Sequence, residues 1–216
     1  MTNLTQLRLE LIDANFYPAF LLALRLPVLE DLWIHQATSS LPSLSWDVGF
    51  YSTWFARTKR ASKSLKRLNL SDSQLGPTMH GRLLRSATSY SVLQKLLKNF
   101  SQLHSLSLAT GICVHLPILD LIANGQLLPQ LQVLHLATAS DPHVILEMVR
   151  TRNTGPSSKE WECIKSLMLT LPDAFSDRED ELEEEAALLG LDKGLLMHFV
   201  PPCTIQGCAS MCCFGV

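Results

Sequence analysis

The sequence predicts an α/β fold in which a strand-helix unit is repeated and stacked into a solenoid. Three observations lead to this prediction: a short leucine pattern recurs along the chain, helix signals follow two of its copies, and the composition is that of a globular protein. Of the 216 residues, 47% are hydrophobic and 18% are charged. Disordered chains instead combine low hydrophobicity with high net charge.

The recurring pattern is L-x-x-L-x-L. Its six copies are LTQLRL, LEDLWI, LKRLNL, LHSLSL, LQVLHL and IKSLML, which begin at Leu4, Leu29, Leu65, Leu103, Leu131 and Ile164. Each copy predicts one short strand whose leucines face inward, because alternate side chains of a strand point to opposite faces. The copies recur about every 25 to 38 residues, and leucine-rich repeats have periods near 20 to 29. We therefore expect a leucine-rich-repeat solenoid over residues 1–172, with a curved parallel sheet on the concave face and helices on the convex face.

The segment after each strand must return along the outside, and two returns carry helix signals. After the fourth copy, Pro117 starts an apolar stretch that Asn124-Gly125 ends. After the fifth copy, Asp141 is a candidate N-cap and is followed by a proline. The last turn of this second helix carries Arg150 and Arg152, which suit the negative end of the helix dipole. Its expected buried face consists of Val144, Ile145, Met148 and Val149.

The array is irregular in two respects. The spacings between the second and fourth copies are the longest, which indicates insertions there. The asparagine that often follows such a pattern is missing from every copy. The first copy begins at Leu4 with nothing before it to cover the strand edge, so we expect further sequence upstream.

Residues 173–195 have a different composition, which is strongly acidic between Asp177 and Glu185. Leu182, Ala186 and Leu189 are spaced three and four apart, so we expect one acidic amphipathic helix that caps the last repeat. An acidic docking surface is the alternative.

Residues 196–216 resemble nothing before them and are interpreted as a disordered, cysteine-rich tail. Its cysteines are Cys203, Cys208, Cys212 and Cys213. Structural zinc sites use paired C-x-x-C spacings with a second pair farther along, which this tail lacks. We expect no metal site and no cofactor.

Known catalytic patterns are missing from the sequence. It contains no G-x-S-x-G, no glycine-rich phosphate loop and no H-E-x-x-H. Eighteen basic and 20 acidic residues nearly balance, which gives no general attraction to nucleic acid or to anionic lipid. A convincing signal peptide or membrane span is also missing. We therefore expect a monomeric binding module, not an enzyme, in the cytoplasm or the nucleus.

The concave face is the expected binding surface, because solenoids use it to hold extended partners. The residues between the inward leucines would lie there. The candidate partner-binding residues are Arg8, Asp31, Trp33, His35, Arg67, Asn69, Ser107, His135 and Met168. Trp33 and Arg67 are of types that dominate interface energetics, although Trp33 could equally lie under one of the long insertions.

The chain resembles the repeat region of fungal F-box proteins, the substrate receptors of cullin-based ubiquitin ligases. The resemblance rests on LLPQLQVLHL, DPHVILEMVRTR, IKSLML and an acidic helix ending in Gly190-Leu191-Asp192, and it covers roughly residues 1 to 192. It implies a domain that recognises a protein substrate. The F-box, which docks the ligase adaptor, is not in this chain, so the adaptor would be reached only through an F-box upstream. The alternative is a stand-alone repeat scaffold, or a non-functional fragment, with no link to a ligase.

Overall fold

The computed structural model describes most of the chain up to Val200. The described residues are 3–11, 17–24, 26–36, 46–58, 63–72, 90–109, 112, 114–137, 141–155, 160–191 and 194–200. Residues 37–45 and 73–89, in the two long connections, lie outside them. So do the four cysteines of the predicted tail.

Seven strands in the described part of the chain form one sheet, and all neighbouring strands are parallel. They lie across the sheet in chain order: β1 (Gln6–Leu11), β2 (Asp31–Gln36), β3 (Arg67–Asp72), β4 (Ser105–Leu108), β5 (Val133–Ala137), β6 (Ser166–Pro172) and β7 (Leu195–Val200). The described helices alternate with them: α1 (Tyr17–Ala23), α2 (Val48–Arg57), α3 (Tyr90–Leu97), α4 (Leu116–Ala123), α5 (Pro142–Thr154), the 3₁₀ helix η1 (Asp173–Arg178) and α6 (Glu179–Ala187).

The helices lie on one face of the sheet. Crossover connections between parallel strands are right-handed, so successive crossovers that advance in one direction are all on the same side. The other side, called the open face here, carries the strand side chains that point away from the helices. The protein is thus α/β, in an arrangement compatible with a curved solenoid.

Inward leucines hold the sheet against the helices. The second leucines of the six copies and Leu195 of β7 align in register as one row, with Leu32, Leu68, Leu106, Leu134 and Leu167 each at most 1% exposed. Burial of one leucine contributes about 1.5–3 kcal/mol. Each of the six copies begins its strand at its third residue, which confirms the strands that the pattern predicts.

The two predicted return helices are confirmed. Helix α4 includes Pro117 and ends before Asn124-Gly125. At the start of α5, the Asp141 carboxylate accepts a hydrogen bond of 3.1 Å from the His143 backbone N–H. The buried face of α5 contains Ile145, Met148 and Val149 as predicted, with Val144 half-buried, and it also contains Leu146.

Arg152 lies in the last turn of α5 as predicted, but its contacts go beyond the helix dipole. Its side chain is fully buried and donates hydrogen bonds to backbone carbonyls of the preceding unit and of the next loop. The acceptors are the carbonyls of Ile122 (2.6 Å), Leu128 (2.9 Å), Pro129 (3.1 Å) and Glu162 (2.8 Å). Burial lowers the pKa of Arg152 to about 10, so the guanidinium stays charged at neutral pH. Its hydrogen bonds join α5 to the neighbouring segments.

Asn153, the next residue on α5, bridges two loops through its side-chain amide. Its side-chain amide donates to the carbonyls of Ile164 (3.0 Å) and Leu189 (3.1 Å), and its oxygen accepts from the Ile164 N–H (2.8 Å). This one side chain therefore links α5, the start of the sixth leucine pattern at Ile164 and the turn that follows α6.

The C-terminal region differs from the predicted single helix and tail. Residues 173–187 form η1 and α6, and Leu182, Ala186 and Leu189 are buried as their spacing predicts. Leu195–Val200, most of which falls in the predicted disordered tail, forms β7 in register with β6. The physical reason is that alternate residues of β7 lie beside Leu167, Leu169 and Leu171 of β6 and cover that end of the core.

Helix α6 is joined to α5 by polar contacts. Glu185 accepts from the His143 Nδ1–H (2.6 Å) and from Arg150 (3.0 Å). Arg178 donates to His143 Nε2 and to Glu181. The pKa of the Glu181 carboxyl is lowered by its hydrogen bond from Arg178.

Helices α2 and α3 occupy the described parts of the long spacings where insertions are expected. The side chains of Tyr51, Trp54 and Phe55 on α2 are each at most 1% exposed. Phe55 packs edge-on against Phe100, with ring centroids 4.6 Å apart. No helix in the described ranges is long and apolar enough to cross a membrane.

Candidate functional site

All nine candidate binding residues lie on the open face, in three adjacent rows that run across the strands. The central row contains Arg8, Trp33, Asn69, Ser107, His135 and Met168, followed by Leu196 of β7. Asp31 and Arg67 lie in the row on one side, and His35 lies in the row on the other. The parallel register therefore brings together residues that are up to 160 positions apart in the chain (8 to 168).

Trp33 is the centre of an aromatic and cationic cluster on β1 and β2. Its ring stacks on the His35 ring, with centroids 5.3 Å apart and an interplanar angle of 6°. The Arg8 guanidinium lies 5.9 Å from the Trp33 ring centroid, within the range of a cation–π contact. His35 also hydrogen-bonds through Nδ1 to the Ser71 hydroxyl at 3.1 Å. Trp33 remains half-buried, and the insertions that could cover it, residues 37–45 and 73–89, are outside the described residues.

A shallow depression of about 480 Å³ lies beside this cluster, between β1 and β4. Its wall includes the ion pair between Arg67 and Asp31, whose nitrogen and oxygen are 3.0 Å apart. Asn69 is among the residues that line it, and the side-chain oxygen of Asn69 is buried and accepts no hydrogen bond from any described residue. A buried acceptor without a donor is costly, by about 1–3 kcal/mol.

His135 lies farther along the central row and joins three strands. Its Nδ1 is 2.9 Å from the Ser107 hydroxyl on β4, and its Nε2 is 3.1 Å from the Thr170 hydroxyl on β6. Burial lowers the pKa of His135, and its electrostatic interaction with nearby His198 lowers it further. A neutral ring can donate from one nitrogen and accept at the other, so each hydroxyl takes the complementary role.

The third part of the face, on β5 to β7, carries three exposed apolar side chains beside His135 and Thr170. Val133, Met168 and Leu196 are 39%, 37% and 49% exposed. Met168 and Leu196 are direct partners in the register of β6 and β7. The sequence prediction missed Leu196 because it assigned residue 196 to the tail; the alternation of Leu195, Met197 and Phe199 is the signal that could have revealed it.

The chemistry of this surface suits non-covalent recognition. In the part of the chain that the structure describes, no three histidine, cysteine or acidic side chains are grouped as metal ligands. Both ring nitrogens of His135 contact hydroxyl groups. Exposed Arg8, half-buried Trp33, and the exposed side chains of Val133, Met168 and Leu196 are groups that gain from contact with another molecule.

Comparison of the chain with protein-family models, with curated proteins and with solved structures gave no match.

Proposed function

We propose that this chain is a leucine-rich-repeat protein that binds another protein through its open face. We further propose that it is the substrate-recognition part of an F-box-type ubiquitin-ligase receptor. On this proposal the sheet is curved, the open face is its concave side, and the monomer binds its partner without a cofactor. Its location is the cytoplasm or the nucleus.

The observation that carries the binding proposal is the composition of the open face. Trp and Arg are the residue types most enriched among the residues that dominate binding energy. Trp33 and Arg8 lie together there, next to the buried and unpartnered oxygen of Asn69. A partner that covers Trp33 and Arg8 removes apolar surface from water and can accept a hydrogen bond from the Arg8 guanidinium.

The ligase proposal rests on the sequence resemblance to the repeat region of F-box proteins, whose matching segments lie in the second half of the chain. It would require an F-box upstream of the repeats, which delivers the bound protein for ubiquitin transfer. The alternative, a scaffold without a ligase link, would use the same face, so the two differ in adaptor binding and not in partner binding.

Site-specific crosslinking tests the binding proposal. A photoreactive benzoylphenylalanine is placed at Ser105 or Ser166 on the open face, and at Asp120 or Glu147 on the helical side as matched controls. We expect partner crosslinks from the two serine positions and none from the controls. Equal crosslinking from both sides would contradict the proposal.

Adaptor binding separates the ligase receptor from the scaffold. The longest natural product of the gene is purified from its own cells, and the cullin adaptor is sought by immunoblot. Co-purification of the adaptor is expected for the receptor. If the natural product lacks an F-box and binds no adaptor, the ligase proposal is wrong and the stand-alone scaffold is the remaining function.

A further inference from the structure

The first strand, β1, has one free edge in the sheet that the described residues form. Its other edge pairs with β2, where the Asp31 N–H donates to the Thr5 carbonyl at 3.0 Å. The N–H and C=O of one strand residue point to the same side, and successive residues alternate. The backbone groups of Gln6, Arg8 and Glu10 therefore point away from β2. Another strand can form hydrogen bonds with such unpaired groups.

The core is incompletely covered at this edge. Leu7 and Leu9 of β1 are only half-buried, whereas Leu32 and Ile34, their register partners on β2, are fully buried. Helix α1, which follows β1, carries Phe20 with 49% of its surface exposed. Apolar surface in this first unit would therefore gain from being covered.

The side chains of β1 are self-complementary. The segment from Leu7 to Leu11 reads Leu-Arg-Leu-Glu-Leu, which is symmetric about Leu9 except that its two charges have opposite sign. Arg8 and Glu10 are exposed, and neither forms an ion pair in the described part of the chain. An antiparallel second copy of this segment, centred on Leu9, would place each arginine opposite a glutamate.

The backbone and the charges select the same register. Neighbouring antiparallel strands bond through residue pairs that exchange both N–H···O=C bonds, and the outward groups of Arg8 and Glu10 suit such pairs. Two arginines or two glutamates directly opposite each other would be destabilising. With Arg8 opposite Glu10 of the second copy, the two-fold axis passes Leu9, and Leu7 lies opposite Leu11 on the helix side. Parallel copies in register would again oppose like charges.

We propose that the free edge of β1 binds β1 of a second copy of this chain, antiparallel and with Arg8 opposite Glu10. The pairing is two-fold symmetric and therefore closes as a dimer. It brings Glu10 of the second copy beside the Arg8–Trp33 contact. The inference goes beyond the proposed function: each chain still binds its partner through its own open face, but two chains act together where a monomer was proposed.

Sedimentation equilibrium of the full chain and of three variants tests the dimer. R8E and E10R each place like charges opposite one another in this register, so each variant alone should dimerise roughly tenfold or more weakly than the wild type. The double variant R8E/E10R exchanges the two charges and should restore the wild-type dimer. An equimolar mixture of R8E and E10R should form a heterodimer, because every glutamate then faces an arginine.

The mixture separates loss of pairing from loss of folding. A misfolded variant stays unable to pair in the mixture, whereas two folded variants regain a dimer there. K66E is the matched control, because Lys66 pairs with Glu30 near the surface and lies before β3, away from the free edge. We expect K66E to dimerise like the wild type.

Four outcomes would overturn the inference. One is a wild-type chain that stays monomeric at about 100 μM, and another is a dimer that R8E and E10R leave unchanged. Oligomers that grow with concentration would indicate head-to-tail contact of β7 with β1 and exclude the two-fold pair. If the longest natural product has sequence before Met1 and is monomeric, that sequence covers the edge instead. The crosslinks from Ser105 and Ser166 test the proposed function separately in every case.

Discussion

Gly125 and Gly190 share one backbone conformation but have different surroundings. Both have φ of +65°, where residues with a Cβ are strained. A Cβ on Gly125 would lie 2.3 Å from the Trp161 ring, whereas a Cβ on Gly190 would meet nothing within 4 Å. The Trp161 indole also donates to the Arg152 carbonyl at 3.2 Å, so the ring is held in place and has little room to yield.

G125A and G190A therefore separate the effect of conformation from that of contact. We expect G190A to lower the free energy of unfolding by about 1–2 kcal/mol, the cost of the left-handed conformation alone. G125A should cost about 2–4 kcal/mol, because overpacking against Trp161 is added. Urea unfolding of the two variants measures the difference, and equal losses would contradict the close Gly125–Trp161 contact.

His135 predicts a pH dependence of stability. Its pKa in the folded chain is lowered from the usual 6.5 by burial and by His198, so the folded chain binds fewer protons here than the unfolded chain. The free energy of unfolding should therefore fall as the pH drops through 6.5, and this loss ends below the folded pKa. Urea unfolding at about pH 7.5 and about pH 5 measures the loss in the wild type and in H135Q, which cannot titrate. We expect a smaller loss in H135Q; equal losses would show that other groups set the dependence.

Arg152 determines how helix α5 is held between its neighbours. Four backbone carbonyls from three segments accept hydrogen bonds of 3.1 Å or less from its guanidinium. Arg150, two residues earlier on the same helix, instead pairs with Glu147 and Glu185 near the surface. The two arginines are two residues apart on one helix but differ in burial. Arg152 is fully buried, whereas Arg150 is partly exposed.

We expect R152M to lower the free energy of unfolding by about 3–5 kcal/mol, because it leaves buried carbonyls without donors. R150M should cost about 1 kcal/mol or less, as partly exposed ion pairs contribute little. Denaturant unfolding of both variants measures these values. A mild effect of R152M would mean that water or a backbone shift replaces the guanidinium.

Element by element, the repeated pattern predicts six strands and the capping residues predict two helices, because both signals are local. The role of Arg152 could not be predicted, since its acceptors lie 10 to 30 residues away in the chain. The strand β7 was hidden because its copy lacks the leading leucine.

For the candidate site, the period of two places all nine residues on the open face, while the unsatisfied oxygen of Asn69 depends on packing that no pattern contains.

At the scale of the whole molecule, the core is one continuous layer, so a single charge within it should disrupt all of it. Leu134 is fully buried between the sheet and the helices, and Val133 before it is 39% exposed on the open face. We expect L134D to lower the free energy of unfolding by more than about 4 kcal/mol and to abolish the cooperative melt. V133D should cost about 1 kcal/mol or less. Far-UV circular dichroism with heating compares them, and a cooperative melt of L134D near that of V133D would contradict the stacked core.

The strict chain order of the strands has a mechanical consequence. Among the seven described strands, each bonds to the strands directly before and after it in the sequence, so no strand pairing within this sheet joins its two ends. Tension applied to the two termini would therefore be carried by one strand pair after another, and the units would peel off singly from the ends. Such a molecule extends stepwise under load. A terminal strand-helix unit can unfold and refold while the remaining units stay folded.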